Sequence, residues 1–195
     1  MMEINDISMP KILQLTEKYV NDSFSEDGKL SNRGKHCFKT KQWLLAIYPE
    51  ADESMQIAAV AHDIDSAFVD YKSTGSFKDP KYLATHQEGA ADVIEKFLES
   101  NDADMDLIDS VKHLVEKHEV GGDERQNLIK DADSLGFFDR NLEEFIMRHS
   151  KRGSSKVILR EKFDWMYDRI TSLKAKEIAT PMYNESIRLL EKING

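Results

Sequence analysis

A histidine and an aspartate stand side by side at the end of a strongly apolar stretch of this sequence. The stretch runs from Met55 to Ala61 and is predicted to be helical, and His62 and Asp63 follow it directly. Burying an imidazole and a carboxylate without partners is costly. A bound cation would supply a partner for both groups. The pair therefore indicates a metal site at the end of this helix.

Four further residues of ligand type lie on either side of the pair, each in a different predicted helical segment. In chain order the six candidate metal ligands are His36, His62, Asp63, His86, His118 and Asp133. Imidazole nitrogens and carboxylate oxygens from separate helices are the groups that build metal sites inside helical bundles. Six ligands suffice for two divalent ions.

Helical spacing separates two of the remaining candidates but not two others. His118 follows three aliphatic residues at steps of four, three and four, which places it on the core face of its helix. His113 falls among charged residues and is predicted to face solvent. The same argument leaves Asp131 and Asp133 as alternatives, because both have mixed neighbours at helical spacing.

The order and local context of these residues resemble the HD superfamily of metal-dependent phosphohydrolases. His36 matches the first histidine of that family, and His62-Asp63 matches its defining doublet. Asp133 stands in Lys-Asp-Ala-Asp-Ser-Leu, where the family reads Ala-Asp-x-Leu. His86 and His118 resemble the two extra histidines of binuclear members. The resemblance covers about residues 34–138, and it selects Asp133 over Asp131.

The resemblance implies an HD-type helical bundle, a dinuclear centre and a hydrolytic reaction. One metal would be held by His36, His62, Asp63 and Asp133, and Asp63 would bridge to a second ion held by His86 and His118. Asp131 would lie directly behind these ligands. The implied cofactors are one or two divalent ions, among Mn, Fe, Ni, Mg and Zn. Two such ions can activate a shared water and neutralise charge on a phosphoryl oxygen.

Two positions next to the matched residues depart from the family and are predicted to be catalytic together with Asp63. Lys39 stands where many members have an arginine, and it offers phosphate a point charge in place of a planar fork. Asp65 follows the doublet, and it acts as proton donor or base if it faces the pocket. The alternative for Asp65 is an exposed aspartate at a helix end.

Basic residues outside the motif are further candidates for binding the substrate phosphate. With Lys39, the predicted substrate-binding residues are Lys72 and Arg152. Lys72 belongs to a lysine-containing loop, and Arg152 belongs to a basic group that spans residues 148–162. This group either grips phosphate or forms a charge-balanced, solvated surface.

The segments that must position these residues are predicted to be helical almost throughout. Apolar residues recur with a 3.6 period and no run alternates as a half-buried strand would, so the fold class is all α. Residues 70–85 are predicted to form an insertion or a lid, and His86 to open the helix that follows. The predicted helices cover about residues 10–20, 34–49, 55–65, 86–98, 105–118, 127–138 and 142–149, with two more after residue 156.

Length and composition bound the organisation and the partners. The 195 residues are predicted to form one HD-like domain, with the motif in residues 34–138 and a C-terminal helical extension over residues 141–195 that packs around the core. The formal net charge of −9 argues against generic nucleic-acid binding. No stretch suits a membrane span or a secretory signal, and a single cysteine is compatible with the cytoplasm. An oligomer is compatible with the sequence.

The favoured function is hydrolysis of a phosphate ester of a nucleotide or another small phosphorylated metabolite. Two alternatives use the same residues. The first is an HD-type diiron oxygenase, which the short spacing from His118 to Asp133 disfavours. The second is a non-catalytic HD module that binds a nucleotide or a partner protein, which a complete ligand set disfavours.

Overall fold

A computed structural model describes residues 11–69, 77–140 and 142–192 of the protein. Within these ranges the chain is almost entirely helical, which confirms the all-α prediction. The only strands in the described part are the two-residue pair β1 (Ser25–Glu26) and β2 (Lys29–Leu30). The helices are α1 (Lys11–Ser23), α2 (Asn32–Ile47), α3 (Glu53–Ala61), a short 3-10 helix (Ile64–Ala67), α4 (Pro80–Ser100), α5 (Met105–Val115), α6 (Glu124–Phe138), α7 (Leu142–Lys151), α8 (Lys156–Asp168) and α9 (Leu173–Lys192).

Helix α3 lies at the centre of the larger apolar core. All its residues from Met55 to Ala61 except Gln56 are buried. The helix contacts α1, α2, α5 and α6. Its side chains are apolar on every face, as expected for a helix surrounded by others. At its C-terminal end His62 is also buried, and Asp63 is partly buried.

The start of α4 differs from the prediction. The helix begins at Pro80, and the side chain of Asp79 caps it by accepting a hydrogen bond from the Lys81 amide at 2.9 Å. An aspartate cap followed by proline at the first position is a strong start signal that outweighs the polar composition around it. The prediction that His86 opens the helix is therefore wrong, because His86 lies in its second turn. Residues 70–76, which include Lys72, lie outside the described residues.

Smaller differences occur at other helix ends. Helix α5 ends at Val115, three residues before His118, but turns continue through His118 and keep it inside. Helix α9 runs without interruption through Pro181, although a proline inside a helix removes one backbone hydrogen bond. None of the described helices is both long and apolar enough to cross a membrane.

The C-terminal helices pack on α6 and form a second apolar cluster. Aromatic rings of Phe137, Phe138, Phe145 and Phe163 meet there, with centroid separations of 5.2–6.5 Å. Asp131 in α6 is fully buried, and its carboxylate accepts hydrogen bonds from the backbone amides of Thr171 and Ser172. Asp131 therefore anchors the start of α9, and the expectation that it lies behind the metal ligands is wrong.

Candidate metal centre

The six predicted ligands come together in two groups of three. One group contains His36, His62 and Asp133, and the other contains Asp63, His86 and His118. Within each group, one candidate ligand atom per residue lies within 4.8 Å of the others. The residues come from α2, the end of α3, α4, the turns after α5, and α6. The ends of several helices therefore converge on one centre.

Asp63 lies between the two groups. Its Oδ1 is 3.0 Å from His86 Nε2 and 3.9 Å from His118 Nε2, and it is 3.7 Å from His62 Nε2 in the other group. In the first group, Asp133 Oδ1 is 2.8 Å from His36 Nε2 and 3.5 Å from His62 Nε2. A carboxylate has two oxygens and can bridge two cations, which suits this position.

Two of the histidines have their Nδ1 atoms fixed by a hydrogen bond to a backbone carbonyl. His62 Nδ1 lies 2.9 Å from the Ala59 carbonyl oxygen, and His118 Nδ1 lies 2.8 Å from that of Val115. A carbonyl can only accept, so each Nδ1 carries a proton, and Nε2 is the nitrogen left to bind a metal ion. In both residues Nε2 faces the centre, which is the arrangement of metal-binding imidazoles.

One unpaired nitrogen of the site fits a cation. His118 is fully buried and its Nε2 has no hydrogen-bond partner in the described part of the chain. A buried nitrogen without a partner costs free energy, and a metal ion bound at this nitrogen would remove that cost. The Nε2 atoms of His36 and His62 lie 3.3 Å apart in the other ligand group. The residues present therefore fit one or two divalent ions.

Electrostatics at the centre differ from one histidine to the next. Burial opposes the charged form of all of them, but the carboxylates of Asp63 and Asp133 raise the pKa of His62 to about 9. For His86, burial is outweighed by Asp63 and Asp65, which raise its pKa to about 10. Burial and the neighbouring His86 lower the pKa of His118 to about 4. In the metal-free protein, protons on His62 and His86 therefore supply positive charge that a bound metal ion would otherwise supply.

Asp65 lies behind His86 and not in the open pocket. Only 1% of Asp65 is exposed, and its Oδ2 is 2.7 Å from His86 Nδ1. The exposed helix-end alternative is therefore wrong, and the pocket-facing alternative does not describe this geometry either. A carboxylate at Nδ1 orients the ring and makes Nε2 a stronger ligand.

A glycine lets the helices α2 and α6 approach at the first group. A methyl group on Gly136 would lie 2.9 Å from Thr40 Oγ1 and 3.2 Å from His36 Nδ1. Close approach brings His36 of α2 within hydrogen-bond distance of Asp133 of α6. The conformational cost of a glycine inside a helix is thus offset by the position it gives to a ligand.

Arg169, which follows α8, is a part of the site that was not predicted from sequence. Its guanidinium donates to Asp133 Oδ2 and to Glu119 Oε2, and its Nε donates to Ser134 Oγ at 2.8 Å. The side chain is 7% exposed. Burial raises the pKa of Asp133, but the charges of Arg169 and the histidines hold it well below its usual range. No local pattern marks this arginine, because its partners are 35 to 50 residues away in sequence.

A cavity of about 760 Å³ opens onto the centre between the motif-bearing helices and the C-terminal helices. Four of the six ligands line it: His36, Asp63, His86 and Asp133. Its walls carry five basic side chains and four aromatic rings. The basic residues are Arg33, Arg140, Arg148, Arg152 and Lys162, and the aromatic ones are Phe77, Tyr82, Phe137 and Phe145.

The predicted substrate-binding residues differ in their relation to this cavity. Arg152 lines it and is exposed. Lys39 is not among the lining residues, and its Nζ forms an ion pair with Asp139 at 2.9 Å. Among the other histidines, His149 lines the cavity and its ring lies against that of Phe145, with a centroid separation of 4.3 Å. His113 is a surface residue with a side chain 57% exposed. The solvent-side prediction for His113 is confirmed.

One protein family matches most of the chain. No curated protein and no solved structure shows significant similarity to it. Residues 11–184 match the model of one protein family, and this range holds all six candidate ligands and every residue that lines the cavity. The chain therefore belongs to the family described as Domain of unknown function (DUF4202).

Proposed function

We propose that this protein is a metal-dependent phosphohydrolase that cleaves a phosphate ester of a nucleotide or another small metabolite. The observation that carries the proposal is the position of Asp63 Oδ1 within 3.9 Å of histidine nitrogens from both ligand groups. This geometry supports two adjacent cations. When bound, two such ions lower the pKa of a shared water and neutralise charge on the phosphoryl group.

The cavity supports a substrate that is small, anionic and partly aromatic. A volume of about 760 Å³ lies within the range of small-molecule sites, which is about 300–1,000 Å³. Arg140 lies over the rings of Phe137 and Phe145 at 4.5 and 5.3 Å, which leaves its charge close to an apolar wall. One guanidinium group can donate two parallel hydrogen bonds to two phosphate oxygens. Aromatic rings can stack on a nucleobase.

The protein's own residues have distinct tasks in this reaction. The six ligands hold the ions, and Asp65 fixes the ring of His86. Arg169 neutralises Asp133 from behind. The arginines of the cavity wall would orient the phosphate and offset its charge while water attacks phosphorus. No protein nucleophile is required.

Metal analysis and a phosphoesterase screen together test the proposal. Protein purified without chelator should contain up to two equivalents of a transition metal, since the structure has two ligand groups. Apoprotein supplied with Mn²⁺, Fe²⁺, Ni²⁺ or Mg²⁺ should release phosphate from at least one nucleotide. Bound iron with oxygen uptake and no phosphate release would favour an oxygenase. Nucleotide binding without turnover would favour a non-catalytic module.

Asp63→Ala and His113→Ala form a matched pair for the same assay. Asp63→Ala should abolish turnover and lower metal content, because the bridging oxygen is lost. His113→Ala should leave both near wild type, because His113 lies at the surface and pairs with Asp123. Full activity in Asp63→Ala, or loss of activity in His113→Ala with an intact fold, would contradict the proposed centre.

A further inference from the structure

Lys162 is a cavity residue that the metal centre does not use. It lies on the inner face of α8, three residues after Leu159 and four before Met166, and all three side chains line the cavity. The spacing places them on one side of the helix. The aliphatic part of Lys162 therefore packs along the cavity wall.

The ammonium group of Lys162 is surrounded by aromatic rings on its protein side. Its Nζ lies 4.3 Å from the ring centroid of Trp165, 5.0 Å from that of Phe77 and 5.7 Å from that of Phe137. In the described part of the chain, Nζ has neither a hydrogen-bond acceptor nor an ion-pair partner. Ring faces attract a cation but accept none of its three N–H groups strongly. These donors are therefore free to bind an oxygen that enters the cavity.

Four charged residues act on Lys162. Burial lowers its pKa to about 8, Arg169 and Arg140 act in the same direction, and Glu119 and Asp133 oppose them. An amine that loses its proton near neutral pH is a more effective acid catalyst than an ordinary surface lysine. Asp133 is also a candidate metal ligand, so Lys162 is electrostatically coupled to the centre.

We infer that Lys162 is the general acid that protonates the leaving oxygen of the substrate. This inference rests on the proposed phosphohydrolase function. Water forms the new bond to phosphorus while the bond from phosphorus to the leaving oxygen breaks, and that oxygen takes a proton from Lys162 Nζ. The attacking water releases a proton to the solvent. The neutral amine of Lys162 then takes up a proton from the solvent, which restores the starting state. In total, one phosphate ester and one water molecule are converted to one alcohol and one inorganic phosphate.

Two substrates that differ in the leaving group test this role. The leaving group of a nucleoside 5′-monophosphate is an alkoxide, which needs a proton. The leaving group of 4-nitrophenyl phosphate is a stable phenolate, which does not. Lys162→Met should reduce kcat for the nucleotide by about 10²- to 10⁴-fold. It should change kcat for the nitrophenyl ester little. Lys162→Arg keeps the charge but holds its proton too tightly to donate it, so it should not restore nucleotide turnover.

Controls separate this role from a structural or purely electrostatic one. Lys96→Met makes the same change at an exposed lysine of α4 and should match wild type with both substrates. Metal content should be unchanged in the Lys162 variants. In the wild type, kcat for the nucleotide should fall at alkaline pH, as Lys162 loses its proton.

Several results would overturn the inference. Equal losses with both substrates, restoration by Lys162→Arg, or a flat wild-type pH profile would each exclude a general acid at this position. The pH profile uses the unaltered protein, so it decides the matter even if Lys162→Met does not fold. Absence of turnover by the wild type with every ester would instead overturn the proposed function, and the inference with it.

Discussion

Replacing Asp65 tests whether the residue orients His86 for a metal ion. Asp65 Oδ2 accepts from His86 Nδ1 at 2.7 Å, and the two side chains are only 1% and 6% exposed. Asp65→Ala removes the acceptor. Asp65→Asn is similar in shape, but it removes the charge and can turn its NH₂ group toward Nδ1. That amide orientation favours the proton on Nε2, which blocks the nitrogen that faces Asp63.

The expected magnitude follows from the kind of hydrogen bond that is lost. A bond to a charged, buried acceptor contributes about 1.5–3 kcal/mol. Since about 1.4 kcal/mol corresponds to a tenfold change in a dissociation constant, metal affinity should fall by about 10- to 100-fold. Only the group that contains His86 should weaken by this amount, because the other ligands keep their partners.

Competition with a chromophoric chelator measures the effect. Metal-free wild type, Asp65→Ala and Asp65→Asn are titrated with Zn²⁺ or Mn²⁺ in the presence of the chelator. Two equivalents should bind to the wild type, and one of them should weaken in each variant. Asp92→Asn is the matched control, because Asp92 is an exposed residue of α4, the helix that carries His86.

Unchanged affinity in both Asp65 variants, with melting temperatures equal to that of the wild type, would refute the reasoning. It would mean that packing alone holds the His86 ring. Equal weakening of both equivalents would also count against it, because a local effect on one imidazole cannot account for that result.

Two further predictions concern charge at the centre. Arg169→Met leaves Asp133 and Glu119 without their shared cation, so the metal-free protein should lose about 3–5 kcal/mol in urea unfolding, and a loss below about 1 kcal/mol would contradict this role. Metal binding should release protons, because Asp63 and its neighbours raise the pKa values of His62 and His86 to about 9 and about 10. Affinity should therefore still rise between pH 7 and 9, by about tenfold per pH unit for each proton displaced, as chelator competition across that range would show. A metal affinity that stays constant from pH 7 upward would contradict the raised pKa values of His62 and His86.

The all-α fold could be predicted from sequence because it depends on local patterns. Helical periodicity needs only neighbouring residues, and it separated buried His118 from exposed His113 correctly. The all-apolar composition of α3 was enough to predict that the groups at its end are buried. Ligand type and order suggested the six residues that the fold brings together. The resemblance to HD phosphohydrolases stays a prediction about activity.

Local patterns were less reliable where two signals compete or where a polar residue has several possible partners. The cap formed by Asp79 and Pro80 began α4 earlier than composition indicated. Asp131 and Asp65 are both buried carboxylates near the motif, but one binds the start of α9 and the other binds His86. Sequence spacing contains no information about which of these partners is near.

The sequence by itself determined the helices, the apolar core and the supply of metal-binding side chains. Only the tertiary structure decided that Asp63 lies between the two groups, that Arg169 neutralises Asp133, and that Lys162 enters the cavity. The physical reason is that charges and lone pairs interact over a few ångströms in space, whatever their separation along the chain. Packing of α3 against α2, α5 and α6 sets the position of Asp63, and packing of α8 and α9 against α6 sets those of Arg169 and Lys162.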